Sequence, residues 1–206
     1  MSILLLGGSP SLVSSSGRLL QHIGARLTRH GHRTTTLQVR DLPPQALLHA
    51  HFDDLAILRA KALVADADAI VIATPVYKAS YTGILKAFLD LLAQDGLAGK
   101  VVLPLATGGS LSHMLALDYA LRPVLATLAA RQVLASIYAT PDQLQWHEET
   151  GLGLDPAIAA RVATGVDDLS GALRMLRQHR QPLPQPLLPQ LLPQPLRRAA
   201  DAALAV

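Results

Sequence analysis

The chain has 206 residues, half of them hydrophobic and 16% charged, which is enough apolar material for one good core and excludes a disordered chain over most of its length. The formal net charge is only +3, Lys and Arg are scattered apart from Arg197-Arg198, and aromatics make up 3%. Neither the basic face nor the stacking rings of a nucleic-acid binder is present. Zero cysteines exclude disulfides, thiolate catalysis and zinc–thiolate sites, and no metal is expected.

No apolar run reaches the length of a membrane span, and the first residues enter a strand with no basic region or cleavage signal before it. A cytoplasmic protein without a membrane or nucleic-acid partner is expected.

Short β-type runs alternate with helical patterns. The expected strands are Ile3–Leu6, Thr34–Val39, Ala69–Ala73, Val101–Ala106 and Val133–Tyr138. The expected helices are Leu19–His30, Asp54–Ala65, Leu85–Leu92, Ser112–Arg131 and Pro156–His179, each with apolar residues three and four apart. Five strands alternating with five helices predict an α/β, flavodoxin-like three-layer sandwich around a five-stranded parallel sheet of order 2-1-3-4-5. The domain is expected to span residues 1–180. Residues 181–206 form a Pro/Leu/Gln-rich tail whose prolines at 182, 184, 186, 189, 193 and 195 forbid a continuous helix, and poor order is expected there.

Such sheets bind ligands beyond the carboxyl ends of their strands, near the topological switch point. Functional residues are therefore expected after strands 1, 3 and 4, where the chain reads GGSPSLVSSSG, TPVYKASYTG and ATGGSLSH. The first loop carries Ser9, Ser14, Ser15 and Ser16 ahead of a helix. A helix N-terminus suits a phosphate, and the serines add donors without bulk; they equally suit helix capping. The loop matches neither GxGxxG nor a P-loop. The second loop offers Pro75 as a rigid edge, Val76 and Tyr77 as apolar surface and backbone amides between them, a mixture that fits a flavin ring. Lys78 is either near the ligand's negative charge or a solvated surface lysine, and Ser80 or Thr82 caps the next helix. The third, Thr107-Gly108-Gly109-Ser110, lets backbone approach a ligand closely or is an ordinary turn. His113 reads as structural rather than as an acid or base.

Taken together, GSP after strand 1, ATPVYKASYTG after strand 3 and LPLATGG after strand 4 resemble the NAD(P)H-dependent FMN reductases of two-component monooxygenase systems, the reductase of the alkanesulfonate system above all. The resemblance covers about residues 1–180. It implies hydride transfer from NADPH or NADH to FMN, with no catalytic side chain of its own, and delivery of reduced flavin to a flavin-dependent monooxygenase. It further implies that Ser9, Ser14 and Ser16 hold the FMN phosphate, with Ser15 beside them. Pro75–Lys78 and Thr107–Ser110 would border the ring. The family often has an arginine near Ser11 or Ser15, and both are serine here.

Pro123 falls inside a helical pattern, where it offers no N–H to the carbonyl of Tyr119 and crowds it, so a kink or π-bulge is expected around Tyr119. The resemblance implies that this tyrosine lies at a subunit interface of a homo-oligomer, a dimer or tetramer. Rivals on the same fold are an FMN-bound quinone or azo-compound reductase and a flavodoxin-type electron carrier. Carriers are often acidic, and this chain is mildly basic.

Overall fold

The fold is that of a computed structural model, which describes residues 1–147 and 151–180, the side chains of 179 and 180 excepted; the tail at 181–206 lies outside the described residues. Met1–Leu173 form one compact unit, and a second begins at Arg174.

Five parallel segments make the frame: β1 (Ser2–Gly7), β2 (Arg33–Gln38), β3 (Ala69–Pro75), β4 (Val101–Thr107) and a divided fifth, β5 (Gln132–Val133) with β6 (Ile137–Ala139). Their order is β2-β1-β3-β4-β5, with β6 also on β4, as the sequence pattern predicts. β1, β3 and β4 are the central strands and are almost wholly buried, which is why they read as unbroken apolar runs.

Helices cover the sheet on both faces. Leu4, Leu6, Ile70, Ile72, Val102 and Ala106 belong to one core cluster with α2 (Pro44–Leu48), α3 (Leu55–Asp66), α4 (Gly83–Leu89) and α5 (Arg122–Thr127). Leu5 and Leu103, of the opposite parity, meet Gly24 of α1 (Ser15–Arg29) and Gly165 of α6 (Pro156–Arg180). The period-two alternation of the strands thus separates the two helical layers.

Two expectations needed correction, and two elements were not foreseen. The helix predicted over Ser112–Arg131 is instead a 3-10 turn at Leu111–His113, a π-helical turn at Leu117–Leu121 and α5, because Pro123 cannot continue regular α winding through the preceding turn. The fifth strand is not continuous over Val133–Tyr138. Val133 pairs with Val102 but Ile137 pairs with Leu105, so four residues on one side span three on the other, a β-bulge. A hairpin of β7 (Leu144–His147) and β8 (Gly151–Leu154) and the short α2 were not foreseen.

Candidate functional site

The parallel register brings the carboxyl ends of the strands level. Gly7 pairs with Ala73, Pro75 with Thr107, and Thr107 with Ala139. The three loops expected to carry function leave this one edge together. Between them lies an open cleft of about 300 Å³ lined by Ser11, Val13, Ser14, Ser15, Pro75, Val76, Tyr77, Thr107, Gly108, Gly109 and Pro141.

In the first loop Ser14 is the N-cap of α1, and its hydroxyl accepts from the Gly17 amide at 3.1 Å. Ser9 and Ser16 are 1% exposed and do not line the cleft. The Ser9 hydroxyl accepts from the Ser11 amide at 3.2 Å, shaping the turn, and the Ser16 hydroxyl lies 3.5 Å from that of Ser14. The amides of Ser15 and Ser16, in the first turn of α1, donate to no acceptor among the described residues.

The second loop is a miniature hairpin. Tyr77 and Ser80 exchange backbone hydrogen bonds at 2.9 and 3.1 Å around Lys78 and Ala79, whose φ angles are 50° and 60°. Two positive φ values mark a type I′ turn, built here without glycine. The turn leaves Tyr77 half exposed at the cleft and Lys78 exposed at the tip, outside the cleft lining. Thr82, not Ser80, caps α4 through the Leu85 amide.

The third loop is pinned from a place the sequence does not advertise. The Tyr138 hydroxyl, on β6, donates to the Ser110 carbonyl at 2.7 Å. A side chain on Gly108 would strike that hydroxyl, so the glycine is required by close approach. Gly109 has open space where a Cβ would stand, and the amides of Gly109 and Ser110 donate to no described acceptor. The Ser110 hydroxyl accepts from Ser112 at 3.2 Å and caps the 3-10 turn that ends at His113, rather than facing the cleft. Burial pushes the Tyr138 phenol's pKa up, which keeps it a donor.

Free amides at two ends of one cleft, serine hydroxyls at one end and apolar surface between them suit a ligand with a phosphate and a flat heterocycle. The family model for NADPH-dependent FMN reductases matches residues 1–145. The chain belongs to the NADPH-dependent FMN reductase family. It is 50% identical to the FMN reductase (NADPH) of Pseudomonas putida over 73% of this chain and 76% of that one. It is 38% identical to the FMN reductase (NADPH) of Escherichia coli K12, over 84% and 90% of the two lengths. Among solved structures, an NADH:FMN oxidoreductase in its apo form is similar with a TM-score of 0.74 and 38% identity, covering 82% of this chain and 87% of that one.

The reductase has two arginines near its first loop that sequence reading passed over. The Arg40 Nη1 donates to the Ser11 carbonyl at 3.0 Å and to Gln38 Oε1 at 3.2 Å. Arg18 stacks on Trp146 of β7, its guanidinium carbon 4.2 Å from the ring centroid. Ser11, Val13, Pro141 and Tyr138 were also missed. Only Ser11 and Val13 lay inside a motif singled out beforehand; the others reach the site by tertiary folding.

Among the described residues, no helix is long and apolar enough to cross a membrane.

Proposed function

We propose that this NAD(P)H-dependent FMN reductase holds the flavin phosphate in its first loop, through the Ser14 and Ser15 hydroxyls and the Ser15 and Ser16 amides with buried Ser9 shaping the turn, and the isoalloxazine ring between the Pro75–Lys78 and Thr107–Ser110 loops, where Lys78 forms the turn and Ser110 offers its amide. The reading rests on one observation above all: unpaired amides of Ser15, Ser16, Gly109 and Ser110 bracket a single cleft at the carboxyl edge of the sheet. The α1 N-terminus and the Ser14 and Ser15 hydroxyls stabilise a dianion there. Val76 and Tyr77 offer an apolar surface for a ring face, and Gly109, with no Cβ, admits close approach.

When bound, FMN supplies the acceptor for a hydride from the reduced nicotinamide ring. The chain's own residues then have positional work only: the I′ turn sets Tyr77, Tyr138 sets Ser110, and no side chain is required to move a proton. In the cytoplasm, where reduced nicotinamide nucleotides are abundant, the reduced flavin passes to a monooxygenase, in sulfonate desulfonation. The domain responsible spans residues 1–180.

The assay is anaerobic mixing with FMN, varied from below to far above the enzyme concentration, followed by NADPH or NADH and the loss of flavin absorbance. Many turnovers of free FMN are expected. Reduction that halts at one flavin per chain overturns delivery to a partner; no reduction overturns the assignment of the cleft. Coupling to an alkanesulfonate monooxygenase tests the partner.

A homo-oligomer, dimer or tetramer, belongs to the same proposal. Leu111, Met114, Leu115 and Tyr119 are exposed around the π-helical turn, Tyr119 at 78%. Tyr119→Asp is expected to shift the sedimentation coefficient toward that of a smaller species; an unchanged value removes Tyr119 from the interface.

A further inference from the structure

Beside the flavin cleft runs a second one, of about 220 Å³, lined by Leu12, Val13, Ser14, Gly17, Arg18, Gln21, Gln38, Arg40 and Trp146. It shares only Val13 and Ser14 with the first. Both of its cations are held in place. Arg40, 17% exposed, commits Nη1 to the Ser11 carbonyl and to Gln38, and Gln38 is itself lodged against Gly7, where a Cβ would collide with it. Its Nε is 3.6 Å from Asp41, an ion pair too long to be a hydrogen bond. Arg18 has no carboxylate within ion-pair distance among the described residues, and its guanidinium carbon lies 4.2 Å from the Trp146 ring centroid, a cation–π contact that leaves N–H donors for another acceptor.

Two guanidiniums against one carboxylate, Asp41, among the described residues suit an anionic ligand of phosphate type. The flavin has one phosphate, and the serine end of the first cleft already suits it. A reduced dinucleotide whose nicotinamide meets the flavin ring carries further phosphates away from that ring. We infer that the Arg18–Arg40 cleft is the subsite for the ribose 2′-phosphate of NADPH and sets the preference for NADPH over NADH. The inference rests on the flavin-site reading above. It gives a charge-based discrimination of the kind arginine supplies in other NADP sites. It also puts positive charge beside a first loop that carries no arginine or lysine of its own between Gly7 and Gly17.

The test compares wild type with Arg18→Ala, Arg40→Gln and Trp146→Leu. In each variant kcat/KM for NADPH is expected to fall roughly tenfold or more while that for NADH stays within about twofold. Calorimetry on the FMN-loaded protein gives the second readout. Adenosine 2′,5′-bisphosphate is expected to bind wild type at least about tenfold tighter than adenosine 5′-monophosphate, an advantage lost in the arginine variants. Equal binding of the two probes to wild type, or equal loss with both nucleotides, overturns the inference. So does a fall in affinity for FMN but not riboflavin with the NADPH/NADH ratio unchanged, since the arginines then serve the flavin phosphate. Failure of the flavin-site reading is separate: it appears as FMN affinity insensitive to Tyr77 and Gly109 substitutions, whatever the arginines do.

Discussion

The Thr82 hydroxyl donates to the Gly8 carbonyl, joining the start of α4 to the turn that follows β1 across 74 residues of chain. The same oxygen accepts from the Leu85 amide as the helix cap, and the Thr82 amide donates to Thr74 Oγ1 at 3.2 Å. One buried threonine therefore ties the first loop to the second, and both geometries share its fate.

Thr82→Val removes the cap and the tie while keeping the volume. It is expected to destabilise the protein by about 2 kcal/mol and to weaken FMN binding, whereas Thr82→Ser keeps most of both. Urea unfolding and a flavin fluorescence titration check this. Loss of stability with FMN affinity unchanged would show that the tie does not shape the site.

The contact between Gly108 and Tyr138 makes a second pair informative. Tyr138→Phe deletes the bond to the Ser110 carbonyl and is expected to cost about 1 kcal/mol. Gly108→Ala in wild type forces the tyrosine aside, but in the Tyr138→Phe background the collision with the hydroxyl is gone. The two losses in stability and FMN affinity should therefore be less than additive, as a double-mutant cycle would reveal.

Lys78 and Ala79 hold left-handed backbone that glycine adopts freely. Ala79→Gly is expected to stabilise the chain by roughly 1 kcal/mol, raising Tm by about 2–4 °C. The Tyr77–Ser80 exchange of hydrogen bonds should survive, and FMN affinity with it. A lower Tm would mean that the turn is not strained as its dihedral angles imply.

His22, on α1, has its pKa held below the ordinary 6.5, first by burial and then by Arg26 and Arg29; its Nε2 is buried without a hydrogen-bond partner among the described residues. The folded state takes up this proton less readily than the unfolded chain. Its contribution is therefore full above about pH 6.5 and is lost as pH falls through the lowered folded value. His22→Leu should lose less of its urea midpoint between pH 7.5 and pH 5 (values of about that size, chosen to bracket the histidine range) than wild type does. Parallel declines would remove His22 from the acid response.

The central strands were legible because burial on both faces leaves mostly apolar residues, and this placed the three loops correctly although the expected strand ends, Leu6, Ala73 and Ala106, fell one or two residues short of Gly7, Pro75 and Thr107. The hairpin carrying Trp146 was not legible, since Gln145, Trp146 and His147 are exposed and Gly151–Leu154 has no core-facing alternation. Arg40 and Tyr138 escaped for another reason. Their roles depend on contacts to Ser11 and Ser110, 29 and 28 residues away, and no local pattern encodes such pairings. Pro123 did announce a break in regular winding, yet not that the preceding Leu115 would be left on the surface.

The extra residue in the fifth strand leaves slack in a stretch whose identity matters little. Four steps from Val133 to Ile137 match three on β4, which places Tyr138 opposite Ala106. Side chains alternate across a sheet, so the same chain paired without the bulge would carry Tyr138 to the place opposite Thr107 and turn it toward the α1–α6 layer, and Ser110 would lose its anchor. Removing one of Leu134–Ser136 instead leaves three steps against three with Tyr138 still opposite Ala106, so a single-codon deletion there is tolerable.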